Sequence, residues 1–121
     1  MAFMFENLQV YQKAVNLADR IAVLTEGFPR GYYFLSDQLN RAALSIATNL
    51  AEGNGRFTKT DRRNFFIIAR GSIQECVPLL EIARRRGFIG DGDHNSFRSE
   101  LEVIANKVVA GLINGLENRE A

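Results

Sequence analysis

Tryptophan is absent from this 121-residue chain, and cysteine, histidine and proline are scarce, at one, one and two. The lone cysteine, Cys76, closes no disulfide within the chain, which excludes a disulfide scaffold and favours a reducing compartment. With one histidine, His94, the chain lacks the paired Glu-x-x-His sets of a di-iron bundle, so neither a metal nor a cofactor is expected. No sign of charge dominates. Fifteen Lys and Arg against fourteen Asp and Glu leave +1, so no whole-molecule field points to a nucleic acid or a membrane. No apolar run is longer than residues 65–69, far short of the roughly 20 residues that a membrane helix needs. Residues 1–6 show neither a basic start nor a cleavage-like site, and a cytoplasmic location with no membrane partner is expected.

Strand signals are missing as well. No segment alternates in polarity between hairpin turns. The glycine-rich Gly53-Asn54-Gly55-Arg56 lacks the Gly-Lys-Ser/Thr ending of a nucleotide loop and follows a helix, so it reads as a helix stop. What is present is a chain 46% hydrophobic and 24% charged, the balance of a globular protein and the length of one domain over residues 1–121.

Helical periodicity carries the fold. Over residues 8–24, Leu8, Tyr11, Val15, Ala18 and Ala22, with Ala14, Leu17, Ile21 and Leu24 beside them, form an amphipathic stripe. Gly27, Pro29 and Gly31 then turn the chain. Ser36 is a plausible N-cap for a second helix with Leu39, Ala42, Ala43, Ile46, Ala47, Leu50 and Ala51 on one broad face, ending near Gly53 and Gly55. Thr58 with Asp61 three residues on resembles a cap for a third helix from about Thr60 towards Arg86. Its core stripe is Phe66, Ala69, Ile73, Cys76, Leu80 and Ala83, with a kink or break expected at Pro78. After Gly87 and a polar loop at residues 90–93, Phe97, Leu101, Ile104, Ala105, Val108, Leu112 and Leu116 describe a fourth. The pattern predicts an all-α, antiparallel up-down-up-down four-helix bundle.

Helix three has more apolar surface than one bundle needs. Phe65, Ile68, Leu79 and Ile82, with Ser72 among them, extend round to a second side, which predicts an oligomer interface at Phe65, Ile68, Ser72 and Leu79. The alternative is that they cap the bundle beneath its loops. Gly71, Gly111 and Gly115 suggest tight helix crossings.

Charge is uneven along the chain: residues 41–70 carry six basic and two acidic side chains. Arg56, Lys59, Arg62 and Arg63 gather at the helix-two/helix-three junction, where exposed amides add partial positive charge, an anion-binding arrangement. Phe57 among them is a base-stacking ring or a hydrophobic plug. Arg84-Arg85-Arg86 ends helix three, where cations cap carbonyls. On helix two, Gln38, Arg41, Ser45, Asn49 and Glu52 share a polar stripe about 80° wide. The short side chains of Ser45 and Asn49 suit a hydrogen-bonded network between helices or subunits better than a solvated face. Cys76, on the core stripe without a partner, reads as a buried, inert thiol. No catalytic residue is proposed.

The segment Leu35-Ser36-Asp37-Gln38-Leu39-Asn40-Arg41-Ala42-Ala43-Leu44-Ser45-Ile46, followed by Asn49-Leu50-Ala51-Glu52-Gly53-Asn54-Gly55-Arg56, resembles the signature of the rRNA intervening-sequence proteins. Phe5-Glu6-Asn7-Leu8-Gln9-Val10, Phe28-Pro29, Phe66, Ile68-Ala69-Arg70-Gly71-Ser72 and Glu75 agree with it. The resemblance implies a four-helix bundle assembling as a ring-shaped homopentamer. Such a bundle is similar to the accessory variability proteins of diversity-generating retroelements, which bind nucleic acid and a reverse transcriptase. Two non-enzymatic functions follow. One is an oligomer that associates with nucleic acid, RNA before DNA, through the basic junction, where multivalency multiplies a modest charge. The other is a ring-shaped scaffold for a protein partner, favoured by the near-balanced charge.

Overall fold

A computed structural model describes residues 8–114 of the chain. It contains α1 (Gln9–Glu26), α2 (Tyr33–Asn54), α3 (Lys59–Arg85) and α4 (Asp91–Asn114), and among the described residues there is no strand. The expected four-helix bundle is present. Phe5, Glu6, Asn7, Gly115, Leu116 and the side chain of Leu112 lie outside the described residues.

The buried stripe of α1 is Val10, Ala14, Leu17, Ile21 and Thr25. Val15 and Ala22, expected in the core, are exposed instead, because the apolar arc of this helix is wider than its neighbours cover. Thr25 enters the core by satisfying its hydroxyl: Oγ1 donates to the Ala22 carbonyl at 3.1 Å and accepts from Asn40 Nδ2 at 2.8 Å. A buried hydroxyl bonded in both senses carries little desolvation cost.

Ser36 is not the N-cap of α2. The helix begins at Tyr33, and its cap residue Tyr32 makes no side-chain capping bond. Packing holds the turn instead. The Tyr32 ring meets Phe88 edge-on at 4.7 Å, and Phe28 packs on the Phe88 ring at 5.3 Å. Gly31 supplies a φ of 96°, which other residues adopt only with strain. At the far end the helix stops within the glycine segment as expected, at Asn54 with Gly55 as its cap residue, and Gly53 has a second role. It is buried within α2, and a Cβ there would stand 2.9 Å from both Phe65 Cβ and Phe66 Cε1.

Thr58 caps α3 as its sequence suggests, accepting the Asp61 N–H at 3.1 Å. The helix then runs unbroken past Pro78. Of the kink or break expected there, the break does not occur: Pro78 and Gln74 both lie on the exposed side. A carbonyl deprived of its helical partner on that side reaches water. The helix closes with a Schellman motif: Phe88 N–H donates to Ala83 O at 2.9 Å and Gly87 N–H to Arg84 O at 3.0 Å, with Gly87 at φ 78°. Residues 91–93, expected as a loop, form the first turn of α4 instead, where Asp91 and Asp93 complement the positive helix end.

Each helix packs on its sequence neighbour, and α1 closes the bundle on α4. Leu17, Ile46, Phe66, Leu80, Leu101 and Ile104 form its inaccessible centre. Arg20 ties α1 to α4, pairing with Glu100 and lying 4.3 Å over the Phe97 ring. Cys76 is buried, and burial, helped by the neighbouring Glu75 carboxylate, pushes its thiol up to about 12. Gly71 makes no tight crossing within the chain: it is exposed, and nothing lies within 4 Å of the position its Cβ would take.

Candidate functional site

The α2–α3 connection and the first turns of α3 bring Arg56, Phe57, Lys59, Arg62 and Arg63 together. The Phe57 ring is 97% exposed, so it plugs nothing. Arg62 ties down the backbone that carries it. Its Nη1 donates to the carbonyls of Arg56 at 2.6 Å and Phe57 at 3.1 Å, bracing the loop from below. Its Nε is buried without a protein acceptor among the described residues.

Of the four cations expected to face phosphate, Arg62 is therefore a brace. Arg56 is partly committed: Nη2 bonds Glu52 Oε2 at 3.0 Å, and its guanidinium lies 4.6 Å over the Phe65 ring. Lys59 and Arg63 are exposed on the first turns of α3. The α3 N-terminus itself is less open to anions than the sequence suggests, because Thr58 takes one amide and Asp61 stands in the first turn.

The polar stripe of α2 resolves into three parts. Ser72 Oγ donates to Ser45 Oγ at 2.8 Å, and Asn49 Nδ2 reaches Ser45 Oγ at 2.9 Å and the Ser45 carbonyl at 2.8 Å. These bonds join α2 to α3 through two of the five stripe residues, Ser45 and Asn49, with Ser72 as the partner. Arg41 instead pairs with Asp37 at 3.1 Å, Glu52 pairs with Arg56, and Gln38 is exposed.

The residues expected at an oligomer interface divide as well. Ser72 and Leu79 are buried inside the single chain, each 8% exposed, because α3 packs closely on α2 and the small Ser72–Ser45 pair lets the helices approach. Neither presents a surface to a partner. Phe65 is half-buried beneath Arg56, whereas Ile68 is exposed. Ile67, Ile82 and, on α2, Leu44 are exposed with it. Ile68, Gly71, Glu75, Pro78 and Ile82 recur at three- and four-residue intervals, so they form one solvent-facing side of α3.

The Arg84-Arg85-Arg86 run is largely spoken for. Glu81 takes Arg84 at 2.8 Å and Arg85 at 2.9 Å, and Arg84 also reaches Asp91 at 3.4 Å. Hydrogen bonds from Arg84 and then Arg85 hold the Glu81 carboxyl down at about 2. His94 is buried inside α4, with Nε2 3.6 Å from the same carboxylate. Two exposed rings escaped the sequence reading: Tyr33 and Phe34, 78% and 57% exposed at the start of α2. The run Tyr32-Tyr33-Phe34 after a glycine is the signal that marks them.

Among the described residues, no cluster of His, Cys, Asp and Glu is suited to a metal ion, and no helix is long and apolar enough to cross a membrane. A search of curated proteins finds no match. Among solved structures, a protein with unknown function from the S23 ribosomal protein family of Bacteroides thetaiotaomicron superposes with a TM-score of 0.79. The two are 23% identical, and the match covers 85% of this chain and 97% of that one; it shows a shared fold. The profile of a family described as 23S rRNA-intervening sequence protein matches residues 6–110. Spanning all but the ends of the sequence, that match establishes that the chain belongs to the 23S rRNA-intervening sequence protein family.

Proposed function

We propose that this chain is a non-enzymatic, self-associating bundle that binds nucleic acid, RNA in the first instance, at the α2–α3 corner. The observation that carries the reading is Phe57. A phenylalanine left 97% exposed among Arg56, Lys59 and Arg63 has no role in the core. A planar ring beside cations is the arrangement by which proteins stack single-stranded bases while holding phosphates. The family name points to ribosomal RNA as the source of those bases.

Self-association uses the exposed aliphatic side of α3, Ile67, Ile68 and Ile82, together with Leu44 of α2. A ring of five copies, as the family resemblance implies, would repeat the basic corner and raise its avidity without any further interaction per copy. Within each copy, a single domain, the helices run up-down-up-down. Support comes from contacts that climb one helix as they descend the next, such as Gly53 with Phe66 and Ser45 with Ser72. The bundle works in the cytoplasm, where its one thiol stays reduced.

Fluorescence anisotropy of single-stranded RNA across a salt series tests the binding. Affinity falls steeply with salt, and replacing Lys59 and Arg63 by Ala flattens the slope by roughly 0.7 for each phosphate no longer neutralised. Phe57→Ala weakens binding at every salt concentration by about 1–3 kcal/mol. Absent or salt-independent binding overturns the proposal. The second reading, a scaffold ring for a protein partner, draws on the pairing of Arg56, Arg84 and Arg85 with carboxylates. A stoichiometric protein retained from nuclease-treated extract selects it.

A further inference from the structure

Of the large apolar side chains exposed on the bundle, the aliphatic ones lie along the helices, Ile67, Ile68 and Ile82 on α3, Leu44 on α2, Val15 and Val23 on α1 and Val103 on α4, whereas the aromatic ones stand at the two ends: Phe57 at one, Tyr33 and Phe34 at the other. Aliphatic side chains suit helix-on-helix packing; flat rings presented to water suit stacking.

The far end is built for that. Phe28, Tyr32, Phe34 and Phe88 form a connected series of rings, at 5.3 Å for Phe28–Phe88, 4.7 Å for Tyr32–Phe88 and 5.9 Å for Tyr32–Phe34. The series joins the α1–α2 and α3–α4 connections. Beside it lies a shallow groove lined by Thr25, Phe28, Arg30, Tyr32, Tyr33 and Ser36. Arg30 and Arg86 are exposed around the rings, and the Arg86 guanidinium sits 5.9 Å from the Tyr32 ring. Of the carboxylates at this end, Asp37, Glu81 and Asp91 are paired, with Arg41, Arg84 and Arg85, whereas Glu26 and Asp93 are exposed.

We infer that this aromatic end is a second single-stranded nucleic-acid contact, in which a base stacks on Tyr33 and the adjoining phosphates are met by Arg30 and Arg86. The inference rests on the reading of the Phe57 corner and extends it. The two ends are separated by the length of α2, 22 residues, or about 33 Å at 1.5 Å per residue. A strand long enough to bridge them binds at both, and a short one at either end alone. Ring-forming side chains beside cations favour nucleic acid over an apolar peptide, for which the aliphatic flank is the better surface.

The experiment uses the full chain and two oligouridylates, one shorter than the bundle and one long enough to bridge it. Because the chain has no tryptophan and three tyrosines, tyrosine emission reports stacking directly. With the long oligonucleotide, Tyr33→Ala weakens binding about tenfold, in line with the loss of one stacked base. Tyr33→Phe restores the affinity but abolishes most of the emission quenching, which a merely structural role for Tyr33 would not produce. Circular dichroism confirms that both variants fold. If Phe57→Ala weakens binding while Tyr33→Ala and an Arg30→Ala, Arg86→Ala double variant leave it unchanged, the second contact is refuted and the first stands. If the unaltered chain binds neither oligonucleotide, both readings fail. If Tyr33→Ala changes the subunit number by light scattering and not the RNA affinity, the surface joins protein copies and the inference is overturned.

Discussion

Two glycines inside helices predict opposite responses to one substitution. A methyl group at Gly53 would meet Phe65 Cβ and Phe66 Cε1 at 2.9 Å and Phe66 Cδ1 at 3.2 Å. Phe66 is only 1% exposed, so its ring has nowhere to retreat. Alanine is about 1 kcal/mol better than glycine in a helix interior, but overpacking a tight core costs about 1–3 kcal/mol. Gly53→Ala is therefore destabilising by up to about 2 kcal/mol. At Gly71, with nothing within 4 Å of the added carbon, only the propensity gain remains, and Gly71→Ala stabilises by about 1 kcal/mol. In a domain of this size 1 kcal/mol moves the melting temperature by about 4 °C. The two variants thus bracket the parent protein in thermal and urea unfolding followed by circular dichroism at one fixed protein concentration. A Gly53→Ala protein that melts at or above the parent temperature refutes the close α2–α3 approach. Light scattering on Gly71→Ala adds a functional result: a more stable chain with fewer subunits places Gly71 in a contact between copies.

Acid unfolding should depend on Glu81. Its carboxyl is held at about 2 against an ordinary 4.5 by Arg84 and Arg85, so its stabilising contribution is complete above about pH 4.5 and is lost as pH falls towards 2. Glu81→Gln flattens the stability profile over that window, and an unchanged profile shows that the cluster contributes nothing. Cys76, with its thiol near 12, reacts negligibly with a disulfide reagent in the native state at mildly alkaline pH and rapidly once denaturant exposes it. Fast native-state labelling contradicts its burial.

Much of the architecture was legible in the pattern of residues. The core stripe of α3 from Phe66 to Ala83 is buried as its spacing predicts, and Thr58 caps that helix through Asp61. The Ser45–Asn49–Ser72 network was half visible, since short polar side chains on one stripe announced a crowded contact without naming its partner. Helix ends were read less well. Ser36 offered a local cap, yet α2 starts four residues earlier, where the Tyr32 ring packs on Phe88. Pro78 argued for a kink or break, and the helix continues through it without a break, with Pro78 on the exposed side. The candidate site was legible as a cluster of charge. Its division into a brace, Arg62, a stacked cation, Arg56, and the exposed Lys59 and Arg63 was not.

By itself the sequence determined four amphipathic helices, the absence of any disulfide within the chain, the basic character of the α2–α3 junction and the family, because periodicity, composition and motif are properties of residue order. Only the tertiary structure decided which apolar residues are left over. Ser72 and Leu79 turn inward while Ile68 and Phe57 stay in water, since the angular position of a side chain around its helix acquires an inside and an outside only when another helix packs against it.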